Sequence, residues 1–309
     1  MIKKTAILMF ISSLFLLQGC YDDYKEDYQY TTTYFARQFP LRTLVDEEGK
    51  DMTFEIGTVL GGKYSNDIKE EVAFQIQDSF LNADNFSQFT KLPDNYYSLE
   101  SNNIEIPSGH FKGQVTVTLN KELFLNDPLA VENTYALPVE ITDTSLDSIL
   151  ANKHYSVIVI KYFNKYHGWY YTKGIDNKLD GANAPIESER LTYQYDDVVS
   201  NSDILFNTTN KNSLLGSYDG VTGFIGTDTD NIASRANFDI ALEINDDNTV
   251  TVFADDNNGF TNINGTGSYD PATRNFTIEY NYTDADGAMH AVTEELIYRN
   301  TELVLEEWQ

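Results

Sequence analysis

The chain has 309 residues and carries 48 Asp and Glu against 21 Lys and Arg, a formal net charge of −27. Phosphate backbones are gripped by clustered cations, so this balance excludes nucleic acid as a partner, and anionic lipid surfaces repel the body of the chain for the same reason. A hydrophobic content of 41% with 13% aromatic residues supports an ordered core, the length suits two domains, and a single Cys excludes an internal disulfide.

Residues 1–19 read as a signal peptide. Lys3 and Lys4 precede an apolar run from Thr5 to Leu17, broken only by Ser12 and Ser13. That is the charge-then-apolar order of a secretory signal, and the run falls short of the roughly 20 residues a membrane-spanning helix needs. Leu17-Gln18-Gly19-Cys20 follows. It resembles the lipobox of bacterial lipoproteins, in which the Cys thiolate accepts diacylglycerol and the Gly lets the peptidase approach the backbone. The resemblance implies lipidation of Cys20 and a membrane held through acyl chains, at about 0.8 kcal/mol per buried methylene. Residues 20–28 form an acidic lipidated tether, Tyr21-Asp22-Asp23-Tyr24-Lys25-Glu26-Asp27-Tyr28, without apolar periodicity. It resembles the export signal of surface lipoproteins in Bacteroidota. The expected location is therefore the outer membrane, lipid-anchored at the cell surface, with the periplasmic face as the alternative.

Residues 29–165 alternate short strand-like runs with turns: Tyr30 to Ala36, Met52 to Leu60, Glu71 to Asp78, Tyr96 to Ile106, Phe111 to Leu119, Thr134 to Ile141 and Tyr155 to Phe163. Val115, Val117 and Leu119 alternate with Gln114, Thr116 and Thr118, so a period of two puts the aliphatic residues on one face. Pro107-Ser108-Gly109 ahead of them is a turn with fixed and then permissive φ. Pro138 cannot donate to a ladder, which places its strand at an edge or a bulge. Brief helix is expected near Leu123 or around Ser145 to Leu150. The pattern predicts an immunoglobulin-like β-sandwich.

Residues 166–309 begin with Trp169-Tyr170-Tyr171 after a junction, and residues from about Leu179 to Glu189 read as a loop. Phe238, Ile240, Leu242 and Ile244 alternate with polar or small residues; Asn245-Asp246-Asp247-Asn248 turns the chain and Thr249 to Ala254 returns. Thr266 to Tyr269, Asn275 to Thr283 and Met289 to Arg299 continue through turns at Asp270 to Arg274 and Asp284-Ala285-Asp286-Gly287. Asp-Gly between alternating runs is a strong hairpin signal. The expected C-terminal domain is an antiparallel meander, as a lipocalin-like barrel, curved sheet or sandwich, in an all-β chain.

Tyr34-Phe35-Ala36, Arg42-Thr43, Gly61-Gly62-Lys63, Leu92-Pro93 with Tyr96-Tyr97, Ile106-Pro107-Ser108-Gly109, and Tyr135-Ala136-Leu137-Pro138 with Ile141-Thr142-Asp143 follow one another in order. Together they resemble the N-terminal domain of unknown function found in many Bacteroidota surface lipoproteins. Gly267-Ser268-Tyr269-Asp270-Pro271 and Tyr298-Arg299-Asn300 resemble the smaller β-rich domain that follows it. The resemblance implies company with glycoside hydrolases and an outer-membrane glycan importer, hence glycan capture.

No catalytic constellation stands out. Glycosidases need two carboxylates about 5 to 9.5 Å apart, a spacing that 48 acidic residues reach by chance. His110, His154, His167 and His290 are scattered at no metal-ligand spacing, and no Gly-x-Ser-x-Gly elbow occurs. Oxygen-rich loops carrying Asp255, Asn257, Asp284 and Asp286 are candidates for calcium, though each suffices as a hairpin turn; no other cofactor is expected. Trp169, Tyr170, Tyr171, Tyr193, Tyr195 and Trp308 are candidate sugar-stacking aromatics, with core filling as the competing role. Asp147-Ser148-Ile149 resembles a Bacteroidota O-glycosylation acceptor, which makes Ser148 a candidate site. The expected function is a non-catalytic surface binding protein that assists glycan capture. The alternatives are an adhesin-like or structural protein binding other proteins, and an uncharacterised glycan-active enzyme.

Overall fold

The computed structural model describes residues 30–301, apart from 236 and 256, and residue 303. The segment expected to be a signal peptide, Cys20, the expected tether and Trp308 lie outside the described residues. The protein is nearly all β, with 54% strand and 8% helix.

The N-terminal strands are β1 (Thr32–Tyr34), β2 (Leu41–Val45), β3 (Thr53–Gly61), β4 (Glu70–Ile76), β5 (Thr90–Lys91), β6 (Tyr97–Leu99), β7 (Asn103–Ile106), β8 (Lys112–Leu119), β9 (Tyr135–Thr144), β10 (Ser148–Ile149) and β11 (Tyr155–Phe163). They form two sheets, ordered β10-β1-β3-β8-β6 and β2-β11-β9-β4-β7, with β5 added in parallel beside β9. The inner faces meet in one apolar core, with Phe54, Ile56, Val115 and Val117 on one side and Phe74, Ile104, Leu137 and Ile158 on the other. Val157 and Val159 face the opposite way and pack with Leu41, Phe86 and Phe89. Strand β11 is thus buried on both faces, which is why it reads as a continuous apolar run rather than an alternating one.

One local expectation changes, and two open alternatives are decided. Tyr96 to Ile106 is not one strand: β6 pairs with β8 in the first sheet and β7 with β4 in the second. The crossing is made at Glu100 to Asn102, where Ser101 Oγ accepts from the Asn103 amide. The Pro138 strand is interior and not at a sheet edge, and it carries the bulge offered as the alternative: Thr142 is the extra residue between Ile141 and Asp143, opposite Phe74 and Ala73, while β4 ends opposite Val139 and β5 covers only Tyr135 and Ala136. The missing N–H of Pro138 therefore falls in a gap between two neighbours. Helix forms at α1 (Lys121–Leu125), capped by Asn120 Oδ1, whereas Ser148–Ile149 is strand.

The C-terminal strands are β12 (Gly168–Lys178), β13 (Leu191–Tyr193), β14 (Asp203–Asn210), β15 (Ser213–Ser217), β16 (Thr222–Ile225), β17 (Asp228–Ser234), β18 (Asp239–Ile244), β19 (Thr249–Phe253), β20 (Thr261–Asp270), β21 (Asn275–Thr283) and β22 (Met289–Asn300). Eight of them, in the order β14-β15-β18-β19-β20-β21-β22-β12, close into an antiparallel barrel through pairing of β12 with β14. Gly168 to Tyr171 of β12 make that closure, while Gly174 to Asp176 on the same edge pair with β13 instead. The barrel wall therefore forks, and β13-β16-β17 leave it as a three-stranded flap. Gly265 is required where β20 crosses β21: a Cβ there would stand 2.1 Å from the Glu279 carbonyl oxygen. The Asp284-to-Gly287 turn is closed by Gly287, at φ 84°, where the Asp-Gly signal placed it.

Asn164 ties the sandwich's last strand to the barrel, its Nδ2 donating to the carbonyls of Asn210 and Ser213. Beside it His167 stacks on Phe163 at 3.5 Å between ring centroids. Burial, helped by Lys161 and Arg274, pushes the His167 imidazole down to about 4.

Candidate functional site: the barrel mouth

Strand period sets what faces the barrel interior. Tyr170, Thr172 and Asp176 of β12, Phe276, Ile278, Tyr280 and Tyr282 of β21, and Val292, Glu294 and Leu296 of β22 all point inward. Register then stacks them: Leu296 lies opposite Phe276 at one end, and His290 lies opposite Tyr282 at the other. The interior is apolar at the first end and polar at the second. There a cavity of about 320 Å³ opens between the flap and the turns at 258–260 and 284–286.

Five ionisable side chains, Asp176, Arg235, His290, Asp284 and Glu294, converge at and below this opening. Asp176 Oδ2 accepts from the Tyr282 hydroxyl at 2.5 Å and lies 3.5 Å from Arg235 Nη1. Its Oδ1 is 2.8 Å from His290 Nδ1, and His290 Nε2 is 3.2 Å from Asp284 Oδ2. The His290 ring stacks on Tyr282 at 4.5 Å. Arg235 enters from the end of the flap, with its guanidinium over Tyr218 at 4.6 Å and Phe238 at 4.9 Å. Arg235 Nη1 donates to the Tyr280 hydroxyl at 2.9 Å, and Tyr218 and Tyr280 both donate to Glu294 Oε2. Arg235 Nε and Nη2 are buried without a hydrogen-bond partner among the described residues.

The electrostatics follow from burial and neighbours. Burial raises the Glu294 carboxyl above its ordinary range, against the pull of Arg235 and the tyrosine hydroxyls. Burial opposes protonation of His290, but the bonds and charges of Asp176 and Asp284 outweigh it and hold its pKa above the ordinary value. Such a network does not advance folding: apolar residues of equal volume in its place are often neutral or stabilising, and an unmatched buried donor costs about 1–3 kcal/mol. The floor of the opening is chemically costly and polar, whereas Leu191, Ile225, Ala233 and Phe260 supply an apolar wall.

Residues 25–148 match a family model described as an N-terminal domain, and residues 154–297 match one described as a C-terminal domain. The chain carries both domains, in that order. No curated protein matches the sequence. Among solved structures, a Bacteroides ovatus protein of unknown function shares the fold at a TM-score of 0.70 and 20% identity, over 91% of this chain and 98% of that one. A multidomain Bacteroides ovatus protein that includes DUF1735 follows at 0.43 and 15% identity, over 89% of this chain and 97% of that one. A Bacteroides ovatus protein described as a candidate carbohydrate binder follows at 0.33 and 15% identity, over 72% and 67%.

Within the C-terminal domain the aromatic candidates are dispersed. Tyr170 and Tyr193 are fully buried in the barrel core. Trp169 and Tyr171, on the other face of β12, point outward and are half-buried; Trp169 lines a shallow outer depression with Asp203, Leu215 and Asp219. Tyr195 is half-buried against Phe224 at 5.2 Å. Asp284 and Asp286 reach the rim of the mouth, where Asp284 Oδ1 accepts from the amides of Asp286 and Ala288. Asp255 and Asn257 lie on the outer side, with Asn257 bonded to the Asp239 amide and the Asp255 carbonyl. Among the described residues no three His, Cys, Asp or Glu side chains form a metal-holding group. Ser148 is half-buried and donates to the Thr31 carbonyl at 3.2 Å. Sequence reasoning missed Arg235, although it is the sole Lys or Arg between Lys211 and Arg274. A lone cation in an acidic stretch is the signal that would have found it.

Proposed function

We propose that this chain is a non-catalytic binding protein, lipid-anchored through Cys20 at the cell-surface face of the outer membrane, that holds glycan for an outer-membrane importer. The observation that carries the reading is the barrel-mouth cavity, in which buried donors and acceptors converge beside an apolar wall. Pockets of this make-up bind small ligands with a few placed polar groups fixing orientation. The lipobox-like segment and acidic tether support the location, and the resemblance to surface lipoproteins of glycan-utilisation systems supports the ligand.

A glycan array probed with the protein tests capture, with saturable carbohydrate binding expected. Palmitate labelling that is lost in Cys20→Ser tests the anchor. A second reading, adhesin-like binding of another protein, is favoured by one feature: Leu215 and Phe253 stand 42% and 43% exposed on the barrel's outer face, with Trp169 beyond them. A blank array together with a saturable protein partner selects that reading. Release of reducing sugar overturns both in favour of an enzyme.

A further inference from the structure

We infer that the barrel mouth takes the end of a glycan chain as a single uncharged ring, with Arg235 donating to a ring oxygen and the rim carboxylates accepting from hydroxyls. The inference rests on the glycan-capture reading of the same cavity and adds which part of the chain enters and what charge it carries.

Size is the first argument. At about 320 Å³ the cavity lies at the bottom of the 300–1,000 Å³ range of small-molecule pockets, which is room for one ring and not for several. Its floor is closed, because Arg235, Asp176 and Tyr282 are buried and Tyr280, Tyr218, Phe238 and Glu294 fill the interior beyond them. A chain that must pass through a site needs two exits, and a closed floor admits an end.

Charge is the second. The groups facing the cavity are Asp176, Glu189, Asp284 and Asp286 against Arg235 and His290. Four carboxylates against two cations disfavour a uronate, a sulfated sugar or a phosphate. Arg235, at the cavity floor, nonetheless has two N–H-bearing nitrogens, Nε and Nη2, without a hydrogen-bond partner among the described residues. A ligand that offers acceptor oxygens without negative charge, and hydroxyl donors for Asp284 and Asp286, answers both conditions. The apolar wall of Leu191, Ile225, Ala233 and Phe260 then meets the C–H face of the ring.

The test is calorimetric titration of the full chain, purified in detergent, with three probes: methyl glycosides of neutral hexoses, pentoses and N-acetylhexosamines; the matching hexuronates; and linear and cyclic oligosaccharides of the neutral sugars. At least one neutral glycoside is expected to bind and to compete with its linear oligosaccharide. Its uronate should bind at least tenfold more weakly, and the cyclic form, which has no end, should not compete. Arg235→Lys should weaken binding at least tenfold. Because a buried substitution can unfold the barrel, Asp286→Asn on the exposed turn serves as the second variant, with a severalfold loss expected and an unchanged circular dichroism spectrum. Uronates binding as tightly as neutral glycosides, cyclic and linear forms competing equally, or Asp286→Asn without effect on affinity would overturn the inference while leaving glycan capture standing. No carbohydrate bound by any of the three probes overturns both.

Discussion

The two domains solve the same problem with different interiors. The main sandwich cluster is apolar, from Phe54 and Ile56 to Leu137 and Ile158, and its buried Tyr162 hydroxyl donates to the Leu125 carbonyl. The barrel keeps such a core at one end only and gives the other to Asp176, Arg235, Glu294 and His290. Burying an apolar group gains about 25 cal/mol per Å², whereas burying an ion returns its desolvation cost only when geometry and partners are good. The difference separates a domain built to be stable from one that gives up stability at a single place, and that place is where the cavity opens.

The sharpest way to break the comparison is to cut both interiors. Phe124, fully buried between Tyr96 and Tyr162, should cost about 3–5 kcal/mol as Phe124→Ala, read as a lowered sandwich transition in scanning calorimetry. Arg235→Leu should cost the barrel about 3 kcal/mol, because it strips Asp176 and Glu294 of their cation. Adding Asp176→Asn should restore part of that loss, as removing the second charge relieves the first. Two costs that simply add in this double-mutant cycle would show the charges to be uncoupled and the contrast between the domains to be false.

Acid titration sharpens the contrast with smaller effects. His167 at the junction has a folded pKa depressed to about 4, so the unfolded chain takes up its proton first. Stability should fall as pH drops from 6.5 towards 4, by about 3 kcal/mol in all, and His167→Gln should flatten that limb. His290 has the opposite sign. Its folded value is raised by Asp176 and Asp284 against burial, so its contribution is fully present below its ordinary pKa and is lost as pH rises through the folded one. His290→Gln should remove a smaller dependence, confined to the barrel transition and to the alkaline side of the ordinary His value.

Much of the fold was legible because hairpins are local. Asn275 to Thr283 and the turn at Asp284 to Gly287 fall where alternation and turn chemistry put them. Strands β2 and β13 to β17 were not legible. Leu41–Val45 is held in parallel by a strand more than a hundred residues later, and β17 is exposed along most of its length, so neither carries an alternating pattern. The site was less legible still. Asp176, His290 and Arg235 lie on three elements and meet only through barrel closure, which no local spacing encodes. Aromatic residues drew attention by type, yet period two alone sends Tyr170 inward and its neighbours Trp169 and Tyr171 outward.

The fork in β12 bears on how large a guest the mouth can admit. Eight strands form a hoop whose hydrogen bonds run full circle, and such a hoop cannot widen without breaking one of its seams. The flap stands outside that circuit, its strand ladder to it confined to Gly174 to Asp176, and it carries Leu191, Ile225 and Ala233, with Arg235 at its end. One wall of the mouth is thus built outside the hoop, and its position is set by one short ladder, by Leu191 and Tyr193 packed into the barrel core and by the seating of a single arginine.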